Sequence, residues 1–378
     1  MECKLGDIVD FKNGKKKPKT IGDIPIYGGN GILGYTDKYN SGNDNIIVGR
    51  VGAFCGCVYK CDDKCWVSDN AILGQVKENN DYLFVYYLMK TIDIHNLHVG
   101  SGQPLMTQEI LNNIIVNIPC YNEQVKVGKF LNKLDQKIEV NNQINNTLYE
   151  ILEKYYKKKN INNIQRNLCN MNKLVEETIG GDWGKEELID NYNKEVLCIR
   201  GADIPKMDRG NKGKAPNRFI LEKNLNKKRL TGDEIVIEIS GGSPTQSTGR
   251  CIYITPILEQ SFKLPLICTN FCRAIRLKDK KYLPTFYMNL KYLYNRNIMF
   301  LYENGTTGIK NLDLNSLLEN EEINILSEDE IEKFNSLFYS VNSKMVKNSE
   351  ENRNLEQLRD IVLPKLINGE IDLDKIEI

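Results

Sequence analysis

Histidine is almost absent from this sequence, and several motifs that mark enzymes are missing. His95 and His98 are the only histidines among 378 residues, so schemes that pair histidine with a serine nucleophile or a metal have almost no material. No Gly-Lys pair is followed by Ser or Thr in the frame of a phosphate-binding P-loop. No Pro-Pro pair exists, which excludes the Asn/Asp-Pro-Pro-Tyr/Phe site of an amino-methyltransferase. The only Glu-x-Lys is Glu2-Cys3-Lys4, with no acid before it as a restriction-type nuclease requires.

Long apolar runs are missing too. No window approaches eighteen consecutive apolar residues, and the N-terminal MECKLGDIVDFKNGKKK has no apolar signal core. The eleven cysteines are odd in number and scattered, which favours reduced thiols in a reducing compartment. We therefore expect a cytoplasmic protein that makes no membrane contact.

Four of the cysteines raise the question of a metal site. Cys55, Cys57, Cys61 and Cys65 fall within eleven residues, but they lack the paired C-x₂-C spacing of zinc sites. Small buried hydrophobic side chains are the simpler explanation for them. Whether they bind a metal stays open at this point.

Charge is unevenly distributed, although the formal net charge is only +1. The stretch from Arg200 to Leu230 carries ten Lys or Arg against three Asp or Glu. From Asn315 to Glu332 there are seven acids and no base. The basic stretch is a candidate surface for nucleic-acid phosphates, and a solvated loop face is an equal alternative. The near-neutral total indicates that the chain needs partners to hold nucleic acid tightly.

Two long segments carry the repeat of a coiled coil, with spacings that alternate between four and three residues. The two tracks are Val127, Leu131, Leu134, Ile138, Asn141, Asn145, Leu148, Leu152 and Tyr155, and Phe334, Phe338, Val341, Met345, Asn348, Asn352, Leu355, Arg359 and Val362. Ser327 and Glu330 form a capping box at the start of the second segment. We therefore predict two long helices, the first at about 122–157.

Each long helix follows a region of short apolar runs and turns, 1–119 and 174–326, in which a short helix, a Gly-containing loop and a short strand recur. The expected fold is α+β, with two mixed α/β globules separated by two long antiparallel coiled-coil helices in a pseudo-twofold tandem repeat. The expected segments are 1–120, 121–160, 161–326 and 327–378. Two stretches are expected to lack a counterpart: Tyr27-Gly28-Gly29-Asn30 in the first globule and the basic run after Arg200 in the second.

Asparagine is concentrated in the middle of both helices, although it is a poor helix former. The asparagines on the apolar tracks are Asn141, Asn145, Asn348 and Asn352. In an antiparallel pair these four would meet as a polar layer, and a buried asparagine fixes register at a cost in stability. Their predicted role is to set helix register and spacing. Asn142 and Asn146 lie off the track and are expected to face outward, toward solvent or a docked partner.

The absence of catalytic motifs leaves a binding protein as the best interpretation. Two divergent globules with Lys-rich and Tyr/Asn/Gly-rich loops suit DNA, because Arg, Lys, Asn and Gln can read base edges. The alternative is a two-headed scaffold or regulator whose globules bind protein surfaces without reading sequence.

Several motifs resemble one family over essentially the whole chain. They are LGDIVDFKNGKK, PIYGGNGILGYTD, VGRVGAFCG and WVSDNAIL in the first globule, EQVKVGKFLNKLDQKIEVNNQIN in the first helix, and IRGADIP and LRDIVLPKLINGEI further on. With these motifs the chain resembles the specificity (S) subunits of Type I restriction–modification systems.

The resemblance implies a non-catalytic subunit whose two globules are target recognition domains, each reading one half of a split sequence in double-stranded DNA. It implies that the helices set the distance between the halves and dock two methyltransferase (M) subunits. The M subunits would carry S-adenosylmethionine and methylate adenine at N6. Restriction (R) subunits would use ATP and cut, so that the S subunit needs no cofactor of its own. A subunit of a methylation-only or Type IIB-like system is an open alternative. Because the globules differ, the target should be asymmetric.

The candidate DNA contacts are basic residues for phosphates and polar or aromatic residues for bases. In the first globule the former are Lys15, Lys16, Lys17 and Lys19, and the latter are Tyr27, Asn30, Tyr35 and Arg50. In the second globule they are Arg200, Lys206, Arg209, Lys212, Lys214 and Arg218, followed by Ser243, Gln246 and Arg250 in the loop GGSPTQSTGR. The loops 101–103 and 305–308 are either framework turns or further contacts.

Overall fold

The computed structural model describes residues 1–100, 102–162, 166–243, 245–305 and 309–375. The chain forms two compact units, one of Met1–Ile138 with Asn354–Ile378 and one of Glu139–Arg353. Each unit combines sheets and short helices with parts of two long helices, so the predicted α+β fold class is confirmed. The division into four sequence segments stays a prediction.

The first unit is built mainly from residues that precede the first long helix. Its elements in chain order are β1 (Glu2–Lys4), α1 (Leu5–Ile8), β2 (Val9–Asn13), β3 (Ile24–Gly28), β4 (Gly31–Thr36), β5 (Asn45–Gly49), β6 (Val58–Cys61), β7 (Trp66–Val67), β8 (Ala71–Val76), α2 (Tyr82–Thr91), α3 (Gln108–Asn112), β9 (Ile115–Asn117) and α4 (Tyr121–Tyr156).

Three sheets organise the described part of this unit. An antiparallel sheet has the order β2-β8-β5-β6, a second has the order β4-β3-β7 with β3 parallel to β7, and β1 pairs with β9. Strand β5 is buried along its whole length, as expected for a run of Ile and Val at the centre of a sheet.

The second unit repeats this plan with longer connections. Its elements are β10 (Leu168–Asn170), β11 (Val175–Gly180), β12 (Tyr192–Ile199), α5 (Ile204–Met207), β13 (Asn217–Leu221), α6 (Glu222–Lys228), β14 (Glu234–Glu238), β15 (Ser240–Gly241), β16 (Cys251–Ile254), α7 (Pro256–Gln260), β17 (Leu266–Cys268), β18 (Cys272–Leu277), α8 (Leu283–Asn295), β19 (Glu303–Asn304), β20 (Lys310–Leu312), α9 (Leu314–Asn320), β21 (Glu322–Asn324) and α10 (Glu328–Ile367).

The sheets of the second unit match those of the first strand for strand. The order β11-β18-β14-β16 corresponds to β2-β8-β5-β6, and β13-β12-β17 corresponds to β4-β3-β7. In the latter sheet β12 and β17 are parallel, as β3 and β7 are. The pair β10-β21 corresponds to β1-β9, and the second unit also carries the small sheet β15-β20-β19. The predicted tandem repeat is therefore present at the level of strand order.

One expectation about the repeat is wrong. The turn after Gly28 and the basic run after Arg200 were expected to lack counterparts, but both connect the same two strands of equivalent sheets. The turn joins β3 to β4, and the basic run joins β12 to β13. The sequence hid this equivalence because the connection is two residues long in one unit and spans residues 200–216 in the other.

The two long helices contribute side chains to both cores, from the predicted apolar tracks and from neighbouring positions such as Tyr149, Tyr156 and Leu363. In the first unit, the buried core side chains from the helices are Val127, Leu131, Leu363, Leu366 and Ile367. In the second unit they are Tyr149, Leu152, Tyr156, Phe334, Phe338, Val341 and Met345. The helix segments of the second unit are antiparallel, since Asn141 bonds to Asn352 and Tyr155 stacks on Phe334. Among the described residues, no helix is both long and apolar enough to span a membrane.

Candidate nucleic-acid interface

A tight hairpin projects from the β4-β3-β7 sheet of the first unit. Gly28 pairs with Gly31, and Gly31 has a φ of +78°, a conformation that glycine adopts without strain. Asn30 is exposed in this turn. Strand β4 lies at the sheet edge and exposes Tyr35, which is 54% accessible, together with Ile32. The hairpin therefore presents one amide and an apolar edge to solvent.

The lysine segment lies beside this hairpin. The side chains of Lys15, Lys16, Lys17 and Lys19 are all exposed. The backbone of Lys15 is fixed, because its N–H donates to the carbonyl of Val67 at 2.9 Å and its carbonyl accepts from Trp66 Nε1 at 3.2 Å. Lys17 Nζ reaches the main-chain oxygen of Leu33 in the hairpin, at 3.4 Å. The structure thus brings the predicted phosphate contacts and the predicted base-reading turn together.

Two first-unit candidates are engaged with the framework. Tyr27 is half-buried, its hydroxyl donates to the carbonyl of Lys60 at 3.4 Å, and burial raises its pKa. Arg50 donates from Nη1 to the carbonyl of Asp69 at 3.3 Å. Their roles at DNA stay predictions, as do those of the other candidates.

The four clustered cysteines do not converge on one point. Cys55 lies in the main core of the first unit, whereas Cys61 and Cys65 lie in a smaller cluster under Tyr27 and Cys57 is half-buried. Among the described residues, no group of three or more His, Cys, Asp or Glu side chains is arranged to hold a metal ion. The small-hydrophobe interpretation therefore describes Cys55, Cys61 and Cys65.

In the second unit, the connection 200–216 is closed by an ion pair at its base. Arg200 donates from Nε and Nη2 to the two carboxylate oxygens of Asp203, at 3.0 and 3.2 Å. Arg200 Nη2 also donates to the carbonyl of Lys214, and the Lys214 N–H donates back to Asp203. Burial raises the pKa of Asp203, but these hydrogen bonds outweigh it and hold the pKa below the ordinary carboxyl value. Arg200 is thus a structural partner within the connection.

Several other basic candidates of the second unit also point inward. Arg218 is 7% exposed, stacks on the Trp183 ring at 3.8 Å and donates to Glu186 at 2.7 Å. Arg250 pairs through two bonds with buried Glu238. Arginine favours such paired geometries because its planar group offers parallel donors.

Lys212 is held to the second unit as well. Its Nζ donates to the carbonyl of Ser261 and lies over the ring of Phe262, and burial lowers its pKa. The side chains of Lys206 and Lys214 are exposed, so these two lysines are the basic candidates that the connection offers to a ligand.

The loop GGSPTQSTGR forms a compact turn on the second unit. The N–H groups of Ser243 and Gln246 each donate to the other's carbonyl, and the Gln246 N–H also donates to Ser243 Oγ at 3.0 Å. The Gln246 side chain is exposed and donates to the hydroxyl of Tyr294 at 3.5 Å. Pro244, Ser101 and Thr306–Gly308 lie outside the described residues.

The four track asparagines form a buried polar layer in the second unit. All four are at most 5% exposed. Asn141 donates to Asn352 at 2.9 Å, and Asn348 donates to Asn145 at 2.8 Å. Asn142 and Asn146 are exposed as expected, but each also accepts a bond from within the unit, from Asn352 and Arg209 respectively. The predicted meeting of the four asparagines is present, and their spacing role stays a prediction.

Comparison with known proteins identifies the first part of the chain. Residues 1–166 match the family model of the Type I restriction modification DNA specificity domain. The resemblance predicted from the sequence is confirmed, and the matched region contains the lysine segment, the hairpin and the first long helix of the specificity domain.

Two curated relatives carry the same kind of name. The chain is 22% identical over 135 residues to the Type I restriction enzyme EcoprrI specificity subunit of Escherichia coli, covering 36% of this chain and 34% of that protein. It is 24% identical over 231 residues to a putative type I restriction enzyme specificity subunit, S.HindORF215P, of Haemophilus influenzae, covering 57% of this chain and 58% of that one. The chain thus matches between a third and three fifths of these relatives' lengths.

A solved structure shares the fold over nearly the whole chain. The crystal structure of the Type-I restriction-modification system S subunit from M. genitalium aligns with a TM-score of 0.60 and 18% identity, covering 97% of this chain and 95% of that one. The specificity-subunit fold therefore extends beyond residue 166. The second-unit candidates lie outside the specificity-domain match.

Sequence reasoning missed the acids that bind the arginines of the second unit. Asp203, Asp208 and Glu238 are each at most 6% exposed and each pairs with a basic side chain. The three-residue spacing from Arg200 to Asp203 was a usable signal for a local pair. Glu238 ends β14 and Arg250 lies twelve residues later, directly before β16, and only the pairing of these two strands brings them together.

Proposed function

We propose that this chain is the non-catalytic DNA sequence-specificity subunit of a Type I restriction–modification system. It recognises a bipartite, asymmetric target in double-stranded DNA through two recognition domains. It recruits two methyltransferase (M) subunits and restriction (R) subunits for adenine-N6 methylation or cleavage. S-adenosylmethionine and ATP belong to those partners, and the working compartment is the cytoplasm.

The observation that carries the proposal is the repeat of sheet order with different connections at equivalent places. A domain that reads DNA needs a constant framework and variable surface loops. The specificity-domain match covers the first framework, and the second unit repeats its strand order. The connection between equivalent strands is a two-residue turn with exposed Asn30 in one unit and the segment 200–216 in the other. Unlike loops support unlike half-sites, and hence an asymmetric target.

Two kinds of contact are expected at the interface. Exposed lysines such as Lys16 and Lys206 neutralise phosphates and give affinity without sequence preference. Exposed amides such as Asn30 and Gln246 can pair with the edge of adenine, and the apolar edge at Tyr35 can contact a thymine methyl group. The framework residues carry these groups and perform no chemistry.

Methylome sequencing tests this function. In a host carrying the gene with its methyltransferase partner, we expect N6-methyladenine in a bipartite, non-palindromic motif that disappears when the gene is deleted. A palindromic motif would overturn the asymmetric target. An unchanged methylome would favour the scaffold alternative, and co-purification with a methyltransferase followed by a DNA footprint would check that result. Motif methylation without cleavage would indicate a methylation-only system.

A further inference from the structure

The segment 200–216 has its apex against the two long helices of the second unit. Met207 is 1% exposed and packs in a cluster that includes Val346 of α10. Gly210 has a φ of +83°, and a Cβ at this position would lie 2.6 Å from the main-chain carbon and oxygen of Met345. A side chain at this position is excluded by both its backbone conformation and the space available. The segment and α10 are therefore in backbone-to-backbone contact.

Arg209 joins the same apex to α4. Its guanidinium carbon lies 3.5 Å from the centre of the Tyr149 ring, a short cation–π contact with a ring that is 4% exposed. Its Nε donates to Asn146 Oδ1 at 3.3 Å, and its Nη1 pairs with Asp208 at 2.5 Å. Asp208 is in turn held by Lys291 Nζ at 2.9 Å. Tyr149 thus covers one face of the guanidinium group, and Asn146 and Asp208 bind two of its nitrogen donors.

The asparagine layer takes part in this junction. The carbonyl of Arg209 accepts from Asn145 Nδ2 at 3.1 Å and from Ser349 Oγ at 3.2 Å. Asn145 also donates to the carbonyl of Met345 and accepts from Asn348. The buried side chain of Asn145 on α4 is thus bonded to α10 and to the connection at the same time. A change in helix register would break the bonds to the connection together with those between the helices.

We propose that the segment 200–216 is a tie that fixes the second recognition domain to the helix pair, with Arg209 as a positioning residue for half-site recognition. Within the tie, the carbonyl of Arg209 accepts hydrogen bonds from Asn145 and Ser349, and its guanidinium group stacks on Tyr149. Lys206 and Lys214, on the same segment, remain exposed for phosphates. The role in DNA recognition rests on the proposed function, whereas the tie itself is a property of the free protein.

The salt dependence of DNA binding separates a tie from a phosphate contact. In the full chain, Arg209→Met should leave the slope of log affinity against log salt unchanged, because no counterion-releasing contact is lost. It should reduce discrimination only for base changes in the half-site read by the second domain, and Arg209→Lys should restore part of it. The control Lys206→Ala should make this slope less steep by about 0.9 and leave the discrimination between base pairs unchanged. A slope loss of that size in Arg209→Met would overturn the tie.

Hydrogen exchange on the free protein tests the tie without DNA. Arg209→Met should speed amide exchange across residues 200–214 by about tenfold, whereas Lys206→Ala should leave it as in wild type. Ser349→Ala removes one hydrogen bond to the Arg209 carbonyl without changing the charge. It replaces Arg209→Met in this test if that variant does not fold. Unchanged exchange in both would contradict the tie. If wild type binds no DNA but the variants exchange faster, the proposed function fails while the tie stands.

Discussion

At the scale of single residues, the nearest acid decides whether a basic side chain of the second unit is held within the protein. Arg200 in the basic stretch and Arg250 in the loop GGSPTQSTGR are both candidate DNA contacts, yet each faces a buried carboxylate, Asp203 or Glu238. A buried acid needs such a partner because an unpaired buried charge is strongly destabilising. The side chain of Lys206, by contrast, is exposed. Burial of the acid thus separates structural arginines from available lysines.

The Asp203 carboxylate gives a pH-dependent test at this scale. Its folded pKa is lowered, so its contribution to stability is present above its ordinary pKa of 3.8 and is lost as pH falls through the folded value. We expect Asp203→Asn to reduce the free energy of unfolding by about 1–3 kcal/mol at neutral pH, since it removes bonds to a partly exposed arginine. Urea unfolding from pH 6 to 3 should show this difference shrink as pH falls. Glu176→Gln, at an exposed carboxylate, is the control, and a constant Asp203→Asn difference would refute the assignment.

At the scale of elements, the apolar tracks determine where the long helices lie. The conformation of the connections between strands depends instead on contacts with distant residues. The helices Tyr121–Tyr156 and Glu328–Ile367 lie where the repeat of spacings placed them. The segment 200–216 has no periodicity to mark it, and its apex is held by Tyr149 and Ser349 from distant parts of the chain. Local patterns therefore predicted the helices, whereas the tie emerges only from the folded arrangement.

Leucine substitutions in the asparagine layer should change stability differently in the pair Asn141–Asn352 and in the pair Asn145–Asn348. Asn141→Leu with Asn352→Leu removes both partners of one bond and leaves exposed acceptors, so unfolding stability should stay level or rise. Asn145→Leu leaves the buried Asn348 amide without its acceptor and weakens the tie, and should cost about 1–3 kcal/mol. Urea denaturation of both variants measures this. Equal effects would argue against a special place for Asn145.

At the scale of the whole molecule, the same arrangement of strands occurs in both units, but the loops exposed on the two units differ. The paired sheets have the same strand order in both units, and the resemblance to specificity subunits holds for fold and for residues 1–166. The exposed groups differ: Asn30 lies in a tight hairpin, whereas Gln246 lies in the loop before β16. Under the proposed function, we therefore expect the two units to read their half-sites independently.

Independence can be measured by substituting each base pair of the methylated motif in turn. Asn30→Ala should relax preference in one half-site only, and Gln246→Ala in the other only, each by about 1–3 kcal/mol at the affected base pair. Each variant is the matched control for the other. Relaxation of both half-sites by one variant, or of neither by both, would contradict the assigned roles.

The sequence by itself determined the long helices, the repeated framework, the asparagine positions on the tracks and the resemblance to a family. These features depend on side-chain periodicity and short motifs, which are local along the chain. Only the tertiary structure decided which basic residues face solvent, and that two unlike stretches connect equivalent strands. Those outcomes depend on partners far apart in sequence, as Arg209 and Tyr149 are, and on the cost of leaving a buried charge unpaired.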